Sequence, residues 1–442
     1  MVMAADDKKG DTDTNEPLHR ISEQSWRMAS RDHSHRIREI ISPGLTLQDH
    51  HLNTGLQRQR RQRERNEKRG KQQTPARGAN AANASIYDTI TALDPKHPVY
   101  NFLIEYYGLK GTKGVRRLLK WPPGMHEAER QGGILLEAAT EQDFFTSLLT
   151  KGAGLCDEAE KHRGVVYSPS KFVYGNDRQY EKLLKRRHDR KKDLDGSGAT
   201  RAASFALPPS NGGPLAPFLW YRSLLQRTLE ATPVLHCYGL HEWAMQYQPT
   251  IVAKNEAFKT QTPLPPSSKY QSHMELRIDQ ETINITVEAN TLFCTHVDAW
   301  KFFSKEALPR NQFFQQKSDN NRKTDAEELP IAEERQGWLL RSEQSACVHT
   351  TMDLLKIALK LGPFCDPGLF RRVLALTVEA RFLDVAASPY DAKTGYGVEP
   401  IRIETSLGRN EYKQRQIELM KRAAPIREDL LENYEHFLSA LC

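Results

Sequence analysis

The chain has 442 residues and a formal charge of +7, but only 38% of its residues are apolar. That length would allow two or three domains, while the low apolar fraction implies that part of the chain builds no core. No stretch approaches the roughly 18–20 consecutive apolar residues of a membrane span, so a membrane partner is not expected.

The first ten residues, MVMAADDKKG, carry charges where a secretory signal needs its apolar region, and their acids argue against an organelle transit peptide. An intracellular location, nucleus or cytoplasm, is the expectation. Residues 1–83 lack a sustained apolar period and read as a disordered, basic, low-complexity tail. Between Arg58 and Arg77 lie nine Lys or Arg residues against Glu64 and Glu67, which accounts for the whole positive excess. The rest of the chain is therefore close to neutral, and a fold that tracks phosphates over its whole surface is not implied. The run fits a nuclear localisation signal, a nucleic-acid tether or solvated chain.

From residue 84 to 442 the pattern predicts one multi-helix domain, mainly α with minor β. After Asp94 and Pro95, HPVYNFLIEYYGLKG puts Val99, Phe102, Leu103 and Tyr106 on one helical face. A short amphipathic helix in GVRRLLKW is stopped by Pro122, Pro123 and Gly124, and GGILLEAATEQDFFTSLLTKGAG reads as a further helix. Loop insertions are expected at about 175–216 and 315–335, with another irregular piece from Lys254 through TPLPPSSKYQS. Between them PFLWYRSLLQRTLEAT predicts a helix broken at Pro233 and followed by a second helix carrying His241. In MELRIDQETINITVEANTLFC, Ile283, Ile285 and Val287 alternate like a strand while Asp279 offers a helix cap; the balance falls slightly toward helix. Helices are expected over 348–361, 367–385 and 410–440.

Three segments set a histidine beside a carboxylate: YGLHEWAMQY (His241, Glu242), CTHVDAWKFF (His296, Asp298) and CVHTTMDLLKIALKL (His349, Asp353). This pairing builds both non-sulfur metal sites and general acid/base sites. Four residues apart on a helix, His349 and Asp353 would share a face with Lys356, either as ligands of one metal or as a hydrogen-bonded pair. Adjacent residues on a helix diverge by about 100°, so His241 and Glu242 would serve different partners. His296 and Asp298 would share a face only in extended chain, which suits a strand end or loop. Arg381 and Asp384, three apart, form a natural ion pair; Glu399 and Glu404 flank an expected strand. Trp121, Trp220, Trp243 and Trp300 read as core.

The six cysteines include no Cys-x-x-Cys pair and read as reduced thiols. Cys237, Cys294 and Cys347 each lie within two residues of a histidine (His236, His296, His349), which leaves thiolate ligation open beside ordinary burial. There is no phosphate-binding GxxxxGK[ST], no GxSxG elbow and no His-Glu-x-x-His helix. P-loop, α/β-hydrolase and zincin chemistries are set aside.

The blocks HPVYNFLIEYYGLKG, LLKWPPG, GLHEWAMQY, CTHVDAWKFF, CVHTTMDLLKIALKLGP, ASPYD and EPIRIET together resemble a family of bacterial and photosynthetic-eukaryote proteins commonly labelled 3-methyladenine DNA glycosylase. The resemblance spans most of residues 94–440. It implies base excision of alkylated purines, with Asp298 or Asp353 as the acidic residue and a flipped-base pocket. WPPGMHEAER supplies only Pro123 and Gly124 of a glycine-rich hairpin, flanked by Lys113, Arg116, Arg117 and Lys120.

The residues themselves lead first to a metal-dependent enzyme acting on a small molecule by hydrolysis or oxidation. Its divalent ion (iron, manganese or zinc) would be held by a subset of His241, His296, His349, Asp353 and Asp384. His241, Glu242, Asp298, Asp353 and Arg381 are the candidate catalytic groups. DNA repair by base excision, with nucleic acid reached through the basic tail, is the alternative.

Overall fold

The longest apolar periodicities lie in the C-terminal third, and that third organises the fold. The computed structural model describes residues 19–45, 92–125, 134–137, 153–156, 164–174, 213–249 (except 236), 273–313 and 332–441. The fold is mainly α with one small sheet.

In chain order, β1 (His19–Ile21) and α1 (Glu23–Ile41) come first, followed by the short α2 (Asn101–Glu105) and α3 (Gly111–Leu119). Strands β2 (Ile134–Glu137), β3 (Ala153–Cys156) and β4 (Gly164–Tyr167) precede α4 (Pro169–Tyr174). The middle of the chain supplies α5 (Ala216–Glu230), α6 (Leu240–Ala244), α7 (Gln280–Ala289) and α8 (Val297–Trp300). Then come α9 (Ala332–Ser342), α10 (Val348–Met352), α11 (Leu354–Leu361), α12 (Pro367–Ala386), α13 (Ala392–Tyr396) and α14 (Ser406–Ser439).

Helix α12 starts cleanly because Pro367 supplies a preset first turn and Asp366 accepts the amide of Leu369 at 2.7 Å. Its buried residues run from Leu369 and Phe370 to Arg381 and Asp384 and cover most of its circumference, which is the pattern of a helix enclosed by others. It packs against α1, α10, α11 and α14. Helix α14 is capped by Thr405, whose hydroxyl accepts the Gly408 amide at 3.1 Å. A Cβ at Gly408 would overlap the backbone of Arg402, so only glycine lets the chain turn that closely. Tyr434, fully buried, ties α14 to α11 by donating to the carbonyl of Ile357 at 2.8 Å. Helix α7 settles the ambiguous segment: Asp279 caps it through Thr282 N at 2.7 Å, and Ile283 and Val287, four apart, are buried while Ile285 is exposed.

Several expectations need correction. Residues 19–45, placed in the disordered tail, form β1, α1 and a following turn. Trp26, Ile37 and Ile41 of α1 are buried, and His33 and Ser34 reach the carbonyls of Leu118 and Leu119 at the end of α3, each at 3.2 Å. The remainder of the expected tail, including Arg58 to Arg77, lies outside the described residues. Of the helix expected in GGILLEAATEQDFFTSLLTKGAG, Ile134–Glu137 is instead a strand, where β2 pairs parallel with β1 and antiparallel with β4, and residues 138–152 lie outside the described residues. The sheet order is β1-β2-β4-β3. A run of three apolar residues has no period of its own, and pairing with neighbours decides it. Helix α9 begins at Ala332, inside the loop expected at 315–335, and residues 213–215 turn into α5 at the end of the insertion expected at 175–216; residues 175–212 and 315–331, and the piece after Lys254, fall outside the described residues.

No strand forms between Glu399 and Glu404: Glu404 is held by Arg277 at 2.7 and 2.8 Å, and Glu399 pairs with Lys393 at 3.0 Å. Among the described residues no helix is long and apolar enough to cross a membrane.

Candidate metal centre

Two successive left-handed residues, Tyr238 (φ 48°) and Gly239 (φ 77°), turn the chain into α6. A Cβ at Gly239 would lie 2.9 Å from that of Ala387, so the glycine lets α6 sit directly on the end of α12. Trp243 fixes that seat by donating to the carbonyl of Ala387 at 2.8 Å.

The seat brings two adjacent residues of α6 onto two residues one turn apart on α12. His241 Nε2 lies 2.6 Å from Asp384 Oδ1, while Glu242 Oε1 accepts from Arg381 Nη1 at 2.9 Å. Arg381 also donates to Asp384 and, through Nε, to the carbonyl of Pro98 at 3.2 Å. The divergence expected of neighbouring helical residues is thus used: the two side chains take different partners, and Arg381 bridges those partners.

The three histidines converge. The rings of His241 and His349 lie 4.4 Å apart edge to face, and those of His296 and His349 stack at 4.8 Å. His349 Nε2 is 3.9 Å from the second oxygen of Asp384. His241, His349 and Asp384 therefore offer two nitrogens and a carboxylate oxygen within 4.8 Å of one another, and His296, Glu343 and Cys347 form a second such group. Both groups could hold a metal ion. Donor atoms about 2.1 Å from one ion lie roughly 3.0–3.4 Å apart in octahedral or tetrahedral arrangements. The 2.6 Å between His241 and Asp384 is a hydrogen bond, so an ion would displace its proton while closing the 3.9 Å gap to His349.

Two of the expected pairs do not bond side chain to side chain. Imidazole Nδ1 of His296 meets Glu343 at 2.8 Å, whereas Asp298, the second residue of α8, is gripped by both arms of Arg335. His296 is the extended residue before α8 and Asp298 is helical, so the two diverge. Asp353 bonds to His349 only through the backbone, at 2.8 Å, and joins neither group of potential ligands. Asp353 sits at the junction of α10 and α11 and still shares a face with His349, both lining one cavity, but it stands outside the two groups of potential ligands.

No local pattern marks Glu343 as a site residue; it lies between α9 and α10 and also accepts from Thr350. Arg335, which grips Asp298, and Tyr106 carry no such mark either. Nothing short of the fold would have found Glu343 or Arg335, whereas the recurrence of cysteine near histidine did point to the thiols. Cys237 Sγ lies 3.3 Å from His241 Nδ1, and Cys237, Cys294 and Cys347 line one small void with His241 and His349. His236 lies outside the described residues.

Electrostatics separates the three imidazoles. Burial opposes charge on His241, but Asp384 and then Cys237 outweigh it and hold its pKa well above the ordinary value. Burial likewise opposes charge on His296, and Glu343 raises it to about 9. For His349, burial and then the neighbouring His241 push the pKa well down, so it stays neutral, the form that binds metal. Asp384 is kept ionised against burial by His241 and Arg381, while burial raises Glu242 and Asp353. A hydrogen bond with Cys294 lowers the Cys237 thiol well below its ordinary range and raises that of Cys294.

A cavity of about 70 Å³ opens onto this cluster, walled by Glu242, His296, Asp298, His349, Asp353, Lys356 and Arg381. Tyr106, Tyr107 and Lys356 also line a larger cleft of about 740 Å³, so the two spaces adjoin. Trp243 and Trp300 are core, as expected; Trp121 and Trp220 are half-buried and pack against it, Trp121 also walling the cleft.

Compared with known proteins, the chain matches no family model, and no curated protein or solved structure is significantly similar to it.

Proposed function

We propose that this protein is a metal-dependent enzyme acting on a small molecule by hydrolysis or oxidation, with His241, His349 and Asp384 holding one divalent ion. The observation that carries the reading is the meeting of two imidazoles and one carboxylate, from α6, α10 and α12, beside an open cavity. Two histidines and one carboxylate suit iron, manganese or zinc, and such a set leaves positions for water and substrate. When bound, the ion would supply Lewis acidity or redox chemistry.

The chain's own residues divide the remaining work. Arg381 holds Asp384 and Glu242 in place through one nitrogen. Glu242 lines the cavity and keeps its second carboxylate oxygen, Oε2, buried without a hydrogen-bond partner, an acceptor that the described fold leaves unused. Glu343 orients His296, whose ring stacks on His349 and fixes that ligand's plane.

Elemental analysis of the purified protein tests the reading: at least about half an equivalent of iron, manganese or zinc per chain is expected, and its absence after purification with each ion supplied would remove the proposal.

A second reading, excision of an alkylated purine from DNA, draws on the aromatic and cationic walls of the larger cleft. Because Arg335 occupies both oxygens of Asp298, Asp353 is the acid left for it. Release of free methylated purine, lost on Asp353→Asn, is the expected outcome; retention in that variant would exclude Asp353.

A further inference from the structure

The cleft of about 740 Å³ is walled by Arg117, Lys120, Lys356 and Lys360, and no carboxylate lines it among the described residues. Two of these cations are already engaged: Lys360 Nζ lies 5.1 Å from the ring centroid of Phe218, and Lys356 faces Asp298 and Asp353. Arg117 and Lys120, at the end of α3, have no carboxylate partner among the described residues. Lys120 is half-buried, and burial with no opposing anion lowers its pKa to about 8. A desolvated ammonium without a counter-charge is costly unless a ligand supplies the anion.

The other walls are large and mostly aromatic: Trp121, Phe172, Phe218, Tyr221 and Tyr106. Lys356, Tyr106 and Tyr107 then lead to the histidine cavity.

We infer that the substrate is an amphipathic organic anion, a carboxylate or phosphate on an apolar or aromatic body, whose anionic group binds Arg117 and Lys120. Its body lies along the aromatic walls and its far end meets the histidine cavity. Cations select the charged group, while the aromatic faces supply area without regard to detailed shape. This assignment rests on reading the cavity as the reacting end, but the binding itself does not require the metal.

The test is equilibrium binding of 1-naphthyl phosphate, 1-naphthoate and the uncharged 1-naphthol to the full chain, with added metal and in chelator. The anions are expected to bind about tenfold or more tightly than 1-naphthol. Lys120→Gln and Arg117→Gln should each remove about tenfold of that preference, with Lys120→Arg restoring it. Equal binding of 1-naphthol, or anion binding indifferent to both Gln variants, would overturn the inference. So would displacement of the bound anion by alkylated duplex DNA at lower concentration than by either small anion, since the cleft would then serve nucleic acid. Anion binding is expected in chelator as well, so a protein that takes up none of the three ions yet binds the anions would end the metal reading and leave this inference standing.

Discussion

Asp384→Asn keeps the shape of the side chain and removes its charge, so it separates what Asp384 does for the fold from what it does for an ion. In the structure Asp384 is fully buried, meets His241 at 2.6 Å, accepts from Arg381 and lies 3.9 Å from His349. Removing one partner of a buried charge pair costs about 3–5 kcal/mol. Arg381 keeps Glu242 at 2.9 Å and the Pro98 carbonyl at 3.2 Å, which puts the expected loss near the lower end, about 3 kcal/mol. An ion present at a hundred times its dissociation constant adds about 2.7 kcal/mol to the folded state. Urea unfolding of both proteins, in chelator and with excess iron, manganese or zinc, reads the two effects separately. The wild type should gain the metal increment, and the variant should lose both about 3 kcal/mol in chelator and the increment itself. A variant that still gains the full increment would refute Asp384 as a ligand, and a wild type indifferent to all three ions would reduce the cluster to a hydrogen-bond network.

Trp26→Ala should destabilise the protein by about 3–5 kcal/mol, since Trp26 is only 1% exposed. Equilibrium unfolding checks it, and a change within experimental error would mean that α1 does not dock. His33 has its pKa lowered from 6.5 to about 4, chiefly by burial, so its contribution is complete above pH 6.5 and is lost as pH falls toward 4. That loss amounts to about 3 kcal/mol when integrated. Comparing unfolding of wild type and His33→Gln at pH 7 and pH 4.5 should show the wild type losing about 2–3 kcal/mol more on acidification; parallel losses would place His33 in solvent.

The sequence made the frame legible where periodicity was long. The helices expected at 367–385 and 410–440 appear as α12 and α14 with their ends displaced by a few residues. Helix α1 escaped notice because its buried positions include His33 and Ser34, and Trp26 stands eleven residues before Ile37, so no apolar stripe repeats. The site was legible as a set of histidines but not as a set of bonds. The spacing sets a carboxylate near each histidine, whereas the fold gives His241 to Asp384 and His296 to Glu343, partners 143 and 47 residues away. Local spacing reports which side chains share a face; it carries no record of which distant helix that face meets.

Because Arg381 and Asp384 belong to a helix enclosed by four others, the proposed metal site is anchored in the most enclosed part of the described fold. A chain with α12 half-docked would have no binding centre at all, so occupancy by an ion would act as a report on the completeness of folding. Inactive variants should then sort into two kinds: those that melt early whatever is added, and those that melt normally yet no longer respond to the ion.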